Sequence, residues 1–237
     1  MTPILILGGT GEAVHLAGLL VAEGHDVVTS LAGVTANPVV PAGRLRRGGF
    51  GGAAGLARYV AEEGIALVVD GTHPFAAQIS RHAAEVDVPL LRLERPAWAV
   101  EANWTVVNST AEAVAALPSG ARALVTIGRK EVVGFFGRND ISGVARMIEP
   151  VKAPANWMVL LGRPPFTLED ELALLGRHGI SHLVSKNAGG AQTFAKIVAA
   201  REKNLPVIMV QRPPKPAVQS FESASDVAAS LRLTISP

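Results

Sequence analysis

The chain has 237 residues, 49% of them hydrophobic and 18% charged, which suits one large domain or two small ones with sizeable cores. Net charge is only +2, and with no cysteine and one tyrosine little titrates between the histidines and the lysines, so the pI of about 9.2 overstates basicity and no general nucleic-acid signature follows. The absence of cysteine excludes disulfides, thiolate catalysis and Cys-ligated zinc or iron–sulfur clusters.

Residues 4–7 (ILIL) read as a strand buried on both faces, as in a parallel sheet. Gly8, Gly9, Thr10 and Gly11 follow, and from Glu12 onward Val14, Leu16, Leu19 and Leu20 fall on one side of a helix. Glycine lets a ligand approach the main chain, and a helix start exposes N–H groups and the positive end of the dipole. Strand, glycine turn and helix together make a phosphate cradle. The dinucleotide pattern G-x-G-x-x-G is incomplete, because Val14 stands at the third glycine position counted from Gly9. Glu12 also falls where a pyrophosphate would lie. A tight turn without a ligand is the plain alternative. The first strand has no basic region and cleavage site before it, and no apolar run reaches the ~20 residues of a membrane helix, so a cytoplasmic protein that does not enter membranes is expected.

Residues 26–31 (DVVTSL) read as the second strand. NAD-binding folds place an acid at the end of this strand to hold the ribose hydroxyls, and S-adenosylmethionine sites commonly do likewise. Here the strand ends in Thr29, Ser30, Leu31, Ala32 and Gly33, with no acid. A small hydroxyl with arginines nearby (Arg44, Arg46 and Arg47) suits a 2′-phosphate, which favours NADPH over NADH. An ordinary solvated loop of arginines is the alternative. Residues 48–52 (GGFGG) read as a loop before a helix over 53–63, and residues 65–69 as a third strand.

The stretch DGTHPFAAQIS (70–80) lies at the carboxyl end of that strand, where ligands bind in such sheets. It crowds Asp70, Thr72 and His73 against Pro74 and Phe75. His73 could donate a proton, bind an anion, or merely cap the next helix, expected over 76–86. A fourth strand is expected at 89–93. Residues 95–104 break the rhythm as a connection, and a helix follows near 110–117. Strand candidates then fall at 123–127, 144–148, 157–161, 182–185 and 207–210, with helices over 168–177, 191–203 and 225–231. The expected architecture is α/β, with two Rossmann-like lobes of parallel sheet, residues 1–120 and 121–237, and a cleft between them.

The second lobe repeats the opening logic. A strand ending at Ser185 leads through Lys186, Asn187, Ala188, Gly189 and Gly190 to a helix, and Ile127, Gly128, Arg129 and Lys130 follow the lobe's first strand. Two basic strand-end loops suggest a polyanionic substrate. His178 and His182 have the spacing of a metal pair, but Gly179 and a helix end between them spoil a common face, so no metal is assigned.

Together LILGGTGEA, SLAG, GGFGG, DGTHPFAAQIS, LVSKNAGGAQTFAKIVAAR and PVIMVQRP resemble the precorrin-6A reductase family of cobalamin biosynthesis, in the right order over nearly the whole chain. The resemblance implies an NADPH-dependent reductase. It would reduce one double bond in ring D of a polycarboxylated, corrin-type macrocycle, giving precorrin-6B. In this family an arginine often follows SLAG; here that position is Val34, which leaves the 2′-phosphate to Ser30 and Arg46. Expected cofactor contacts are Gly8, Gly9, Thr10, Gly11, Glu12, Ser30, Arg46 and Thr72. Expected substrate contacts are His73, Arg129, Lys186, Asn187, Gly189 and Gly190. No catalytic acid is assigned, since a delocalised macrocycle can take its proton from water. Cobalt in the substrate with NADH as reductant, another small-molecule substrate, and a non-catalytic NADP-sensing module stay open, as does the choice of monomer or homodimer. A methyltransferase is disfavoured by the missing acid after the second strand.

Overall fold

The computed structural model describes residues 3–33 and 39–235. The chain forms two compact units. One runs to Pro96 and resumes at Pro213; the other is Ala97–Arg212.

The first unit opens with β1 (Pro3–Leu7), α1 (Gly11–Ala22), β2 (Asp26–Leu31), β3 (Arg44–Arg47), α2 (Ala53–Glu62), β4 (Leu67–Asp70), α3 (Ala77–Ala83) and β5 (Leu90–Leu93). The second holds β6 (Thr105–Val107), α4 (Thr110–Ala116), β7 (Arg122–Thr126), α5 (Val133–Phe136), β8 (Ser142–Met147), β9 (Trp157–Leu161), α6 (Leu168–Arg177), β10 (His182–Lys186), α7 (Ala195–Glu202) and β11 (Val207–Val210). The chain then returns to the first unit with β12 (Gln219–Phe221) and α8 (Ala224–Ile235).

Each unit has its own six-stranded sheet, in which every pair is parallel. The orders are β12-β5-β4-β1-β2-β3 and β6-β11-β10-β7-β8-β9. Burial on both faces explains the unbroken apolar runs: Leu16, Ala17 and Leu20 of α1 join Val227 and Ala228 of α8 on one side of the first sheet, while Leu56 and Val60 of α2 cover the other.

The division differs from a split at residue 120. Strand β6 pairs with β11 in parallel register, Val107 opposite Val210, so β6 and α4 belong to the second unit. Strand β12 pairs with β5, and α8 closes the core over α1, so the C-terminal segment belongs to the first. Arg44, Arg46 and Arg47, for which the sequence leaves a solvated loop as the alternative, stand on the edge strand β3. The helix expected from residue 191 starts only at Ala195.

Candidate active site

In the first sheet the chain winds outward from β1 in both directions, through β2 and β3 on one side and β4, β5 and β12 on the other. A crevice therefore opens at the carboxyl ends of β1 and β4, where the two following loops diverge. Gly8 donates its N–H to the Ser30 carbonyl at 2.9 Å, and a Cβ on Gly8 would come within 2.8 Å of the Thr29 methyl. Gly9 has φ of +121°, a backbone state that favours glycine. Thr10 caps α1 by accepting from the Ala13 N–H (3.2 Å) and donates its own hydroxyl hydrogen to the Gly71 carbonyl (2.7 Å), which ties the β1 loop to the β4 loop. A Cβ on Gly71 would meet the Ala13 methyl at 3.0 Å. This Ala13–Gly71 contact supplies the close packing that a third glycine gives in the dinucleotide fingerprint, which explains why Val14 is tolerated.

Among the described residues, no protein acceptor meets the backbone N–H groups of Gly9, Thr10, Gly11 or Glu12. Four donors at the positive end of a twelve-residue helix fit a pyrophosphate. The Glu12 side chain is held by Arg95 at 2.8 Å.

Ser30 and Arg46 come together through strand register, since β2 and β3 pair them directly. Arg46 Nη1 donates to Ser30 Oγ (3.2 Å) and to the Gly48 carbonyl (2.6 Å), and Nη2 donates to the Gly49 carbonyl (3.0 Å). The guanidinium lies 3.8 Å over the Phe50 ring. The GGFGG loop is thus the cradle of one arginine. Nε and one Nη2 hydrogen are left for a further acceptor. Arg44 is committed to Asp26 (3.1 Å) and Glu63 (3.0 Å), and Arg47 is exposed. Val34 lies outside the described residues.

The polar stretch after β4 is largely self-satisfied. Thr72 Oγ1 donates to Asp70 Oδ1 at 2.6 Å, so its hydroxyl hydrogen is already spent, although Thr72 lines a recess with Thr10, Glu12 and Arg95. Asp70 is 1% exposed and pairs with Arg92 Nε at 3.3 Å; Arg92 in turn donates to the Pro216 carbonyl at 2.9 Å and so anchors the returning chain. Burial pushes the Asp70 carboxyl up, but hydrogen bonds from Ser80 and Thr72 outweigh it and hold it below the usual carboxylate range. His73 Nδ1 accepts from the Phe75 N–H at 3.3 Å, a local turn closure that leaves the proton of the neutral ring on Nε2.

In the second sheet the corresponding crevice lies between β7 and β10. Lys186 Nζ pairs with Glu131, whose other oxygen accepts from Thr110 Oγ1 at 3.2 Å. The two basic loops are therefore linked through a carboxylate that the sequence reading did not weigh. Arg129 and Lys130 are exposed in the same turn. Asn187 does not present its amide to a ligand: it is 6% exposed, Oδ1 accepts from the Trp98 N–H (2.8 Å) and Nδ2 donates to the Trp98 carbonyl (3.0 Å). Gly189 and Gly190 have φ of +68° and +75°, and the Gly190 carbonyl accepts from Trp98 Nε1 at 2.9 Å. Four residues separate Gly190 from α7, which starts at Ala195, so their N–H groups are not a helix start. Nothing in the isolated pattern at 186–190 pointed to Trp98, about ninety positions away, as its partner.

A family model described as precorrin-6x reductase CbiJ/CobK matches residues 3–232. The chain belongs to the precorrin-6x reductase family. Relatives named precorrin-6A reductase include one from Rhodococcus erythropolis, 44% identical with 98% of this chain and 96% of that one covered. Another, from Rhodobacter capsulatus, is 42% identical with 92% and 90% covered. A solved structure titled CobK precorrin-6A reductase matches with a TM-score of 0.91 at 40% identity, covering 100% of this chain and 98% of that one. The precorrin-6x reductase fold thus accounts for both sheets, and membership makes the chain an oxidoreductase of cobalamin biosynthesis.

Proposed function

We propose that the chain reduces precorrin-6A to precorrin-6B with NADPH, saturating one double bond in ring D of the macrocycle. The register pair Ser30–Arg46, beside the glycine cradle of β1, carries the choice of cofactor. The pyrophosphate takes the N–H groups of Gly9 to Glu12, and the 2′-phosphate takes the remaining donors of Arg46. When bound, the nicotinamide would supply a hydride to an electron-poor carbon of the conjugated system, and the neighbouring carbon would take its proton from water. The chain's own residues position the two reactants. Asp70, locked to Arg92 and Thr72, keeps the β4 loop in place and holds no proton to give at neutral pH. In the second unit Arg129 and Lys186, the latter oriented by Glu131, hold peripheral carboxylates of the substrate.

Anaerobic NADPH oxidation with precorrin-6A, and separately with its cobalt form, tests this reading. Turnover of precorrin-6A with NADPH preferred over NADH is expected. NADPH binding without oxidation in the presence of either macrocycle would leave a sensing module, and turnover confined to the cobalt form would reassign the substrate.

A further inference from the structure

The cradle on β1 carries an anomaly. Glu12, the second residue of α1, places a carboxylate in the first helical turn, where the dipole and the four N–H groups without a protein acceptor favour an anion. A dinucleotide brings its own negative charge to the same place. Left alone, Glu12 would both compete for the helix start and repel the ligand.

Arg95 answers this from elsewhere in the chain. It stands two residues past the end of β5, and β5 is separated from β1 by β4. Its Nη1 therefore passes the loop after β4 to reach Glu12 Oε2 at 2.8 Å, and Thr10, Thr72 and Pro74 line the recess that the pair shares. Both side chains are only partly open to solvent, 17% for Arg95 and 31% for Glu12, so the contact is less screened than a surface pair. The neighbouring acid, Glu94, has its own cation in Lys215 at 2.6 Å. Each carboxylate that lines the recess, Glu12 and Glu94, is thus paired with a cation.

We infer that the Glu12–Arg95 ion pair is a charge-cancelling clasp on the dinucleotide site, with Arg95 a positioning residue that makes the start of α1 acceptable to a pyrophosphate. The inference rests on reading the first unit as the dinucleotide site. Arg95 acts through Glu12 and does not itself grip the phosphates. Its position outside the glycine loop, in a stretch that reads as a mere connection, hides it from any local motif.

The test is NADPH affinity by calorimetric titration for the parent, Arg95→Ala, Glu12→Gln and the double variant, with thermal unfolding of each to confirm folding. Arg95→Ala should weaken NADPH by about tenfold, the effect of one uncovered charge a few ångströms from a multiply charged anion in a water-like medium. Glu12→Gln should tighten it several-fold, because the carboxylate that repels the phosphates is gone. The double variant should return to within about threefold of the parent. Unchanged affinity in Arg95→Ala would overturn the inference, and so would a double variant as weak as Arg95→Ala, which would make Arg95 a direct phosphate contact. If the folded parent bound no NADPH, the reading beneath would fall instead, so the two failures are distinguishable.

Discussion

Removing Arg46 separates the two nicotinamide cofactors most sharply, because the 2′-phosphate is the only group by which they differ. Its guanidinium is already oriented by Ser30, two loop carbonyls and the Phe50 face, so little ordering is left to do when a phosphate arrives. The unspent Nε–H and Nη2–H can each make a charge-assisted hydrogen bond, at about 1.5–3 kcal/mol apiece. Losing one costs roughly ten- to a hundredfold in affinity, and losing both costs more, though less than the product because the two share one phosphate. Arg46→Ala also uncovers Phe50 and frees the Gly48 and Gly49 carbonyls, and that loosening weakens NADPH and NADH alike. The informative quantity is therefore the ratio of the two dissociation constants, measured by titration on folded protein. The ratio should collapse by at least tenfold in Arg46→Ala. Arg46→Lys should recover only part of it, since an ammonium cannot reproduce the fork. An equal loss for both cofactors would refute the assignment.

Gly11→Val puts a branched side chain at the first residue of α1, on the pyrophosphate's approach; NADPH affinity by titration should fall by about tenfold or more while the thermal transition stays cooperative. Lys186→Ala should raise the KM for the macrocycle several-fold and leave NADPH affinity intact, read by steady-state kinetics beside a titration; a loss of NADPH affinity would mean that cofactor and substrate are assigned to the wrong units. Asp70→Asn leaves Arg92 buried without its counter-charge and should destabilise the protein by about 3–5 kcal/mol in urea unfolding at pH 7. Asp70 titrates lower in the folded state than its unfolded value of 3.8, so its contribution is complete above that value and is lost as pH falls through the folded one. The parent should therefore lose stability more steeply than Asp70→Asn as pH drops below about 5.

The interior strands were legible because each is buried on both faces and centred on apolar residues. The three strands that the pattern misses, RLRR in β3, TVV in β6 and QSF in β12, are all at sheet edges, short and largely exposed. Each of these three has one partner and little core to fill, so nothing in its composition separates it from a loop, unlike the apolar edge strand β9. The same limit moved the boundary between units, since β6 and β12 show their allegiance only through pairing. At the site, contacts between sequence neighbours were within reach: Ser30 ends an apolar strand, and arginines follow it closely. Glu131, Arg95 and Trp98 were not, because each acts on a residue more than fifty positions away.

The two units share a topology in which strands diverge from a central pair, yet their loops at that point have opposite chemistry. In the first, Gly9 turns the chain straight into α1, and the helix begins with donors that meet no acceptor among the described residues. In the second, Gly189 and Gly190 are followed by a further turn before Ala195, and the loop's polar groups are consumed internally: Asn187 by Trp98, and the Asn187 and Ala188 carbonyls by Arg212. A phosphate cradle needs free N–H groups at a helix start, and here four residues separate Gly190 from the start of α7. What it offers is side-chain charge, from the exposed Arg129 and Lys130 and from Lys186 held by Glu131. Cations on long, flexible side chains suit carboxylates scattered around a large ring better than they suit one pyrophosphate in one geometry. On the proposed reading one fold supports a backbone-built site and a side-chain-built site, and the difference lies in how many residues separate the glycine turn from the next helix.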